Sequence, residues 1–337
     1  CSFKSLFNSE KGISTDCWIL DGHSSAISSI CEYSCNNIPY IITSSYDCKI
    51  KIWNLQSKKC TSLLHKGNSS STLSACYILD GKYIVVSGNS RELLVFNPTT
   101  GEYVGRIGNT NDYTWKYTWK LAYHSATKQL AVALDNGSIA LFQYVETTFV
   151  HKKTIRLLKE YIRDIKFSPD GHKILVFSWL GNEFAIYDIY CNRIVSFSKE
   201  HAFRGTGSFS FPKGKGILAS LNYSDSIGYF DSETGAFKRI GHAYFRPYQN
   251  NLFFRIFEKF TNIPYEEQPV WETTAIKYSD NGKHLFIARY GGAVEIWNIS
   301  EETSEERCMA ILRSFCSQTN QLAVSSDGSL IAFSTDG

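Results

Sequence analysis

Cys31-x-x-x-Cys35 is the one close cysteine couple among ten cysteines, and it is the nearest the chain comes to a metal or redox spacing. A zinc site needs a second pair or two histidines at short intervals, and neither follows. The eight histidines are scattered, none beside Cys, Asp or Glu at ligand spacing. No HExxH, GxxxxGK[ST], GxSxG or helix-opening GxGxxG occurs. Gly214-Lys215-Gly216 falls in a turn between strand-like runs, the wrong frame for cradling a phosphate. The sequence thus predicts a non-enzymatic protein without metal or cofactor. The chemistry that remains is aromatic and cationic. In the run Tyr113 to Lys120 (YTWKYTWK), alternating rings and lysines suit stacking on bases, gripping a proline-rich segment or caging a cation.

The elements that must carry these groups are short β-rich runs broken by Gly, Asn, Asp and Ser. An alternating strand ending in an aromatic and then Asn, Asp or Gln recurs at Trp53, Phe96, Phe142, Tyr187, Phe230 and Trp297. The steps are 43, 46, 45, 43 and 67 residues. Turn signals such as LDGK at 79–82, SPDG at 168–171 and SSDG at 325–328 keep the same period. Both registers carry one long step, between the fifth and sixth units. The chain ends after a second strand, whereas it begins with runs at Phe7-Asn8 and DCWIL that read as third and fourth strands. Six full units and one shared between the termini predict an all-β ring of seven, closed by pairing N-terminal and C-terminal strands in one blade. Residues 1–337 then form a single domain.

Charge and composition narrow the partners. Lys plus Arg (35) against Asp plus Glu (32) leaves +3, too even for a dedicated nucleic-acid surface. No apolar run reaches the length of a membrane span. The chain begins at Cys1 without a signal-peptide pattern, as expected of a processed chain or an excised domain. Scattered cysteines within strand-like runs read as small apolar residues in a reducing compartment, so an intracellular setting, cytoplasmic or nuclear, is expected.

Gly22-His23, a strand, an Asp-bearing turn and Ile-x-Ile-Trp53-Asn54 together resemble a WD repeat. The resemblance implies a seven-bladed WD-repeat β-propeller in which His23, Thr43, Asp47 and Trp53 form a buried structural tetrad. Elsewhere the Asp position holds Ser90, Asn136, Gly181, Ser224 and Gly291, so only the first full unit matches throughout. Within that family, the residue seven before each aromatic anchor often touches ligands. Here those positions are Tyr46, Asn89, Asp135, Leu180, Tyr223 and Tyr290.

Three tyrosines and a leucine exceed what a solvated turn needs, and they make Tyr46, Leu180, Tyr223 and Tyr290 expected partner contacts. Tyr113 and Trp115 join them from the inter-blade loop. The long step adds an inter-blade insertion over 243–268, where Leu252, Phe253, Ile256, Phe257 and Phe260 form one stripe of a short amphipathic helix. Phe257 and Phe260 are expected to dock it, on the ring itself or on a partner. The function that follows is a protein–protein interaction scaffold in a multiprotein complex, binding a protein or peptide on its rim. The alternative is an RNA-contacting subunit of a ribonucleoprotein or ribosome-biogenesis particle, using the Tyr113–Lys120 loop.

Overall fold

The computed structural model describes residues 22–35, 38–57, 59–63, 72–88, 92–108, 117–178, 183–198, 209–210, 217–221, 226–230, 237–242, 273–279, 284–289, 293–298, 307–313, 319–324 and 331–335. Among the described residues all regular elements are strands. The first sheet runs β1 (Ile27–Cys35), β2 (Ile38–Ser45), β3 (Ile50–Asn54) and β4 (Lys59–Leu63). The second holds β5 (Thr72–Ile78), β6 (Tyr83–Gly88), β7 (Leu93–Phe96) and β8 (Tyr103–Ile107). The third holds β9 (Thr118–His124), β10 (Gln129–Leu134), β11 (Ser138–Val145) and β12 (Thr148–Arg156). The fourth holds β13 (Ile162–Phe167), β14 (Lys173–Ser178), β15 (Glu183–Asp188) and β16 (Arg193–Ser198). The fifth holds β17 (Phe209–Ser210), β18 (Ile217–Leu221), β19 (Ser226–Phe230) and β20 (Phe237–His242). The sixth holds β21 (Thr273–Tyr278), β22 (His284–Arg289), β23 (Ala293–Asn298) and β24 (Arg307–Arg313). A last pair, β25 (Thr319–Val324) and β26 (Ile331–Thr335), makes the seventh sheet.

Each sheet is an antiparallel meander, and the inner strands pack one against the next. β1 touches β5, β5 touches β9 and β9 touches β13; further round, β17 touches β21, β21 touches β25 and β25 touches β1. The last sheet is therefore the neighbour of the first, and the seven sheets close into a propeller. The expected partners of β25 and β26, near Phe7 and in DCWIL, lie outside the described residues, as does the 243–268 insertion.

The second strands β2, β6, β10, β14 and β22 are buried on both faces over most of their length. Where both faces are covered the sequence is accordingly an almost unbroken apolar run, as in Leu130-Ala-Val-Ala-Leu134, whose five residues are all buried. Successive side chains point to opposite sides. Leu130, Val132 and Leu134 join a cluster with Val85, Leu93 and Val95 of the second sheet. Ala131 and Ala133 face the fourth sheet, where Ile174 and Val176 fill the space the alanines leave. Burial then falls off outward, and β12 alternates exposed and half-buried residues along its length.

Polar latches on the side away from the starts of the inner strands tie neighbouring sheets. Tyr33 near the end of β1 stacks on Tyr77 at 4.0 Å between centroids and donates its hydroxyl to the Asp80 carbonyl at 2.6 Å. The receiving turn runs left-handed through Leu79, Asp80 and Gly81, with φ of 51°, 53° and 82°. Two sheets on, His124 Nε2 reaches the Pro169 carbonyl at 3.1 Å in the same way. A Cβ on Gly81 would overlap the Tyr33 phenol. Gly81→Ala should therefore cost about 2 kcal/mol by chemical denaturation, from the backbone preference and the displaced latch together. Tyr33→Phe, which keeps the ring, should cost only about 1 kcal/mol.

Candidate functional site

Tyr46 is the first residue beyond β2, and the turn that holds it is tied down on every side. Its N–H donates to the Ala26 carbonyl at 3.1 Å, and Cys48 closes the turn on Ser45 O at 3.2 Å with φ of 65°. Ser45 Oγ accepts from the Asp47 N–H at 3.1 Å and donates to Ser25 O at 3.0 Å. Asp47 is the hub. Its Oδ2 accepts from the Ser24 N–H at 3.0 Å and from His23 Nδ1 at 2.9 Å, while Oδ1 accepts from the Lys49 N–H at 2.9 Å.

The relay continues inward. Trp53 Nε1–H donates to Thr43 Oγ1 at 2.9 Å, and Thr43 Oγ1 lies 2.7 Å from His23 Nε2. With the indole donating to Thr43, the hydroxyl donates onward to Nε2, and Nδ1 keeps the proton it shares with Asp47. His23 and Asp47 side chains are 5% and 3% exposed, so this His–Asp pair meets no substrate and serves as a brace. Burial pushes the Asp47 carboxyl up, but the bonds from Ser24, His23 and Lys49 together hold it below its ordinary value of 3.8.

Tyr46 itself remains 47% exposed on this brace. The starts of the inner strands lie on the same face, because they pair with the ends of the second strands. There the ladder slips between Ile27 and Ser29, between Thr72 and Ser74, between Ile162 and Asp164, and between Thr273 and Ala275. In β9 the slip falls at Trp119. Such bulges re-aim the skipped residue. Two of those residues matter here. Trp119 packs 6.1 Å from the ring of Tyr161, which is 52% exposed. Arg163 lies within electrostatic reach of Tyr46, and burial lowers its pKa while Asp164 and then Tyr46 oppose that. A face bearing Tyr46, Trp119, Tyr161 and Arg163 is the result.

Of the residues expected to contact partners, only Tyr46 is described. Leu180, Tyr223, Tyr290, Tyr113, Trp115, Phe257 and Phe260 lie outside the described residues. The strand registers nevertheless show where two of them fall in sequence relative to their hairpins. Ile41 pairs with Trp53, Ile84 with Phe96, Leu130 with Phe142 and Leu285 with Trp297, all twelve residues apart. Ile174 pairs with Tyr187 and Ile217 with Phe230, thirteen apart. The fourth and fifth hairpins are one residue longer, so the position following the second strand is residue 179 or 222, not Leu180 or Tyr223. Tyr161 and Arg163 escaped the sequence reading because they precede or enter an inner strand, where no motif marks them.

Among the described residues no three His, Cys, Asp or Glu side chains gather as metal ligands. Burial raises the thiol pKa of Cys31, and that of Cys76 further, which keeps both in the unreactive protonated form. No helix of the described residues is long and apolar enough to cross a membrane.

Comparison with known proteins locates this geometry. The WD40 family (WD domain, G-beta repeat) matches residues 14–54, the segment holding the His23–Asp47 brace and Tyr46. No curated protein matches the chain by sequence. Among solved structures, a chain from "Crystal Structure of Mitotic Checkpoint Complex" superimposes with a TM-score of 0.68 at 10% identity, over 99% of this chain and 99% of that one. At that identity the likeness is one of fold. With one WD repeat matched over residues 14–54 and a closed ring of seven antiparallel sheets, the chain has the fold of a β-propeller.

Proposed function

We propose that the protein is a non-enzymatic interaction scaffold that presents the Tyr46 face of its propeller to a protein partner within a larger assembly. The observation that carries this reading is a half-exposed aromatic on a turn fixed by seven hydrogen bonds through Tyr46, Asp47, Ser45 and Cys48. A ring held this way loses little entropy on binding, which is what makes tyrosine an effective anchor. Tyr161 and Trp119 widen the apolar patch, and Tyr290, next in sequence after β22, is the further contact this reading assigns. The solved chain that the fold resembles comes from a multiprotein complex, in keeping with such a role. The free thiols of Cys31, Cys76 and Cys191 suit an intracellular setting, cytoplasmic or nuclear.

Affinity purification with mass spectrometry tests the proposal, comparing the parent with Tyr46→Ala, Tyr290→Ala and a 243–268 deletion. Each tyrosine variant should melt with the parent and lose about 2 kcal/mol of affinity for the recovered partner by calorimetry. Full retention of partners by all three variants would remove this face from the interface. RNA contact through the Tyr113–Lys120 run would show itself as a steep loss of affinity with salt, which an aromatic protein interface lacks.

A further inference from the structure

The outer wall of the third sheet presents a long and basic open edge. β12 closes that sheet on the outside, where β11 is the strand it pairs with. It has nine residues, against five in β4 and β8, six in β16 and β20 and seven in β24. Pairing with β11 uses only one side of its main chain. Alternate N–H and C=O groups therefore point away from the sheet, with no described strand to receive them. Residues 147–159 hold Lys152, Lys153, Arg156 and Lys159 and neither Asp nor Glu. Lys153 is engaged, since its ammonium meets the Tyr190 carbonyl of the fourth sheet and lies within electrostatic reach of Asp188. Arg156 gives Nε to the Leu158 carbonyl at 3.2 Å and Nη2 to that of Lys159 at 3.0 Å, which leaves three of its five N–H groups over. Lys152 stands out at a bulge, where Phe142 pairs with His151 and Leu141 with Lys153. Lys152 and Arg156 are exposed, and among the described residues neither meets a carboxylate. Val150 is 40% exposed on the same strand, and the Lys153 contact sets Tyr190, 71% exposed, beside it.

An open edge can take a second copy of this chain or a strand from a partner. Its own charge works against the copy. Antiparallel pairing of β12 with itself sets lysine and arginine against lysine and arginine, and like charges across a strand pair destabilise it. An acidic strand reverses that sign. Its main chain takes up the free N–H and C=O groups, and its alternate side chains run along the exposed face of β12, which offers Val150, Lys152, Thr154 and Arg156 in turn. We propose that the free edge of β12 binds an extended acidic segment of a partner protein by strand addition, with Lys152 and Arg156 meeting its carboxylates and Val150 and Tyr190 receiving an apolar residue. This surface lies on a different sheet from the Tyr46 turn, and neither reading depends on the other.

The test titrates the full chain, at low salt, into a labelled peptide of about ten residues that alternates Glu with Val or Thr, read by fluorescence anisotropy. Binding should saturate, weaken with added salt, and fall about tenfold or more when Lys152→Glu and Arg156→Glu are combined. Both substitutions are on the surface, and the melting temperature checks that the fold is kept. Two further peptides, N-methylated at alternate residues in either register, keep the charge but lose one set of main-chain donors. One of them should bind about tenfold more weakly than the parent peptide, because it cannot complete the ladder. Absence of saturable binding to the Glu peptide overturns the proposal. Undiminished binding of both methylated peptides does so too, by reducing the edge to a charged surface, as does undiminished binding by the charge-reversed variant. Tighter binding of a single-stranded oligonucleotide of equal charge overturns it in favour of nucleic acid. A chain that ignores the peptide and dimerises once Lys152 and Arg156 become threonine overturns it as well, since the cations then only guard the edge against copies.

Discussion

Asp47→Ala is expected to lower the stability of the protein by about 3–5 kcal/mol, the usual cost of removing one partner from a buried charged pair. The substitution deletes three hydrogen bonds at once, those from Ser24, His23 and Lys49. It also strands the His23 ring nitrogen inside the first sheet. Urea denaturation followed by tryptophan fluorescence reads the loss, and Trp53 at the far end of the relay makes the signal local. Adding His23→Phe should recover part of it, because the orphaned donor disappears with its partner. A loss under about 1 kcal/mol would mean that the relay shapes the turn without stabilising it. The pH dependence has a definite sign. A carboxyl held below its unfolded value of 3.8 contributes stability that is fully present above that value and drains away as pH falls through the lower folded one. Asp47→Ala should therefore flatten the acid limb of the stability profile.

Leu130→Ala should cost about 3–5 kcal/mol, the range for emptying a fully buried leucine site. Leu130 is 0% exposed and packs in the cluster joining the second and third sheets. Neighbouring Leu121, Val132 and Phe142 belong to strands paired on fixed registers, so the gap is poorly placed to collapse. Leu130→Met, which conserves volume, should cost less than about 1.5 kcal/mol. Equal losses for the two variants in equilibrium unfolding would show that side-chain shape, not volume, governs the joint.

How much of this was legible in the sequence depends on what each feature is made of. The repeat was legible because aromatic anchors and turn residues recur at offsets fixed by strand length. The brace was legible through the resemblance of residues 22–54 to a WD repeat, which implies that His23, Thr43, Asp47 and Trp53 meet. The rim was legible only where hairpins are equal. Counting back from Tyr187 and Phe230 lands one residue further past the second strand than counting back from Trp53 does, because loop length is nearly neutral energetically and a residue can be added without a compositional sign. Trp119 and Arg163 were hidden for another reason. The bulge that turns each of them is a backbone event at the first pairs of the inner strand, and neither residue type announces it. Lys120 was read as part of a polar, aromatic run, whereas in β9 it is half-buried within electrostatic reach of Asp164, Lys166 and Arg163.

The division of labour along β10 has a consequence for how such a chain can change over time. Leu130, Val132 and Leu134 are large and the intervening Ala131 and Ala133 small, each set matched to a different neighbour. The joints are consequently keyed, and a unit transplanted to another place in the ring would bring its alanines against surfaces shaped for leucines. Once keyed, the units are free to drift apart in sequence, provided each drifts together with the faces on either side.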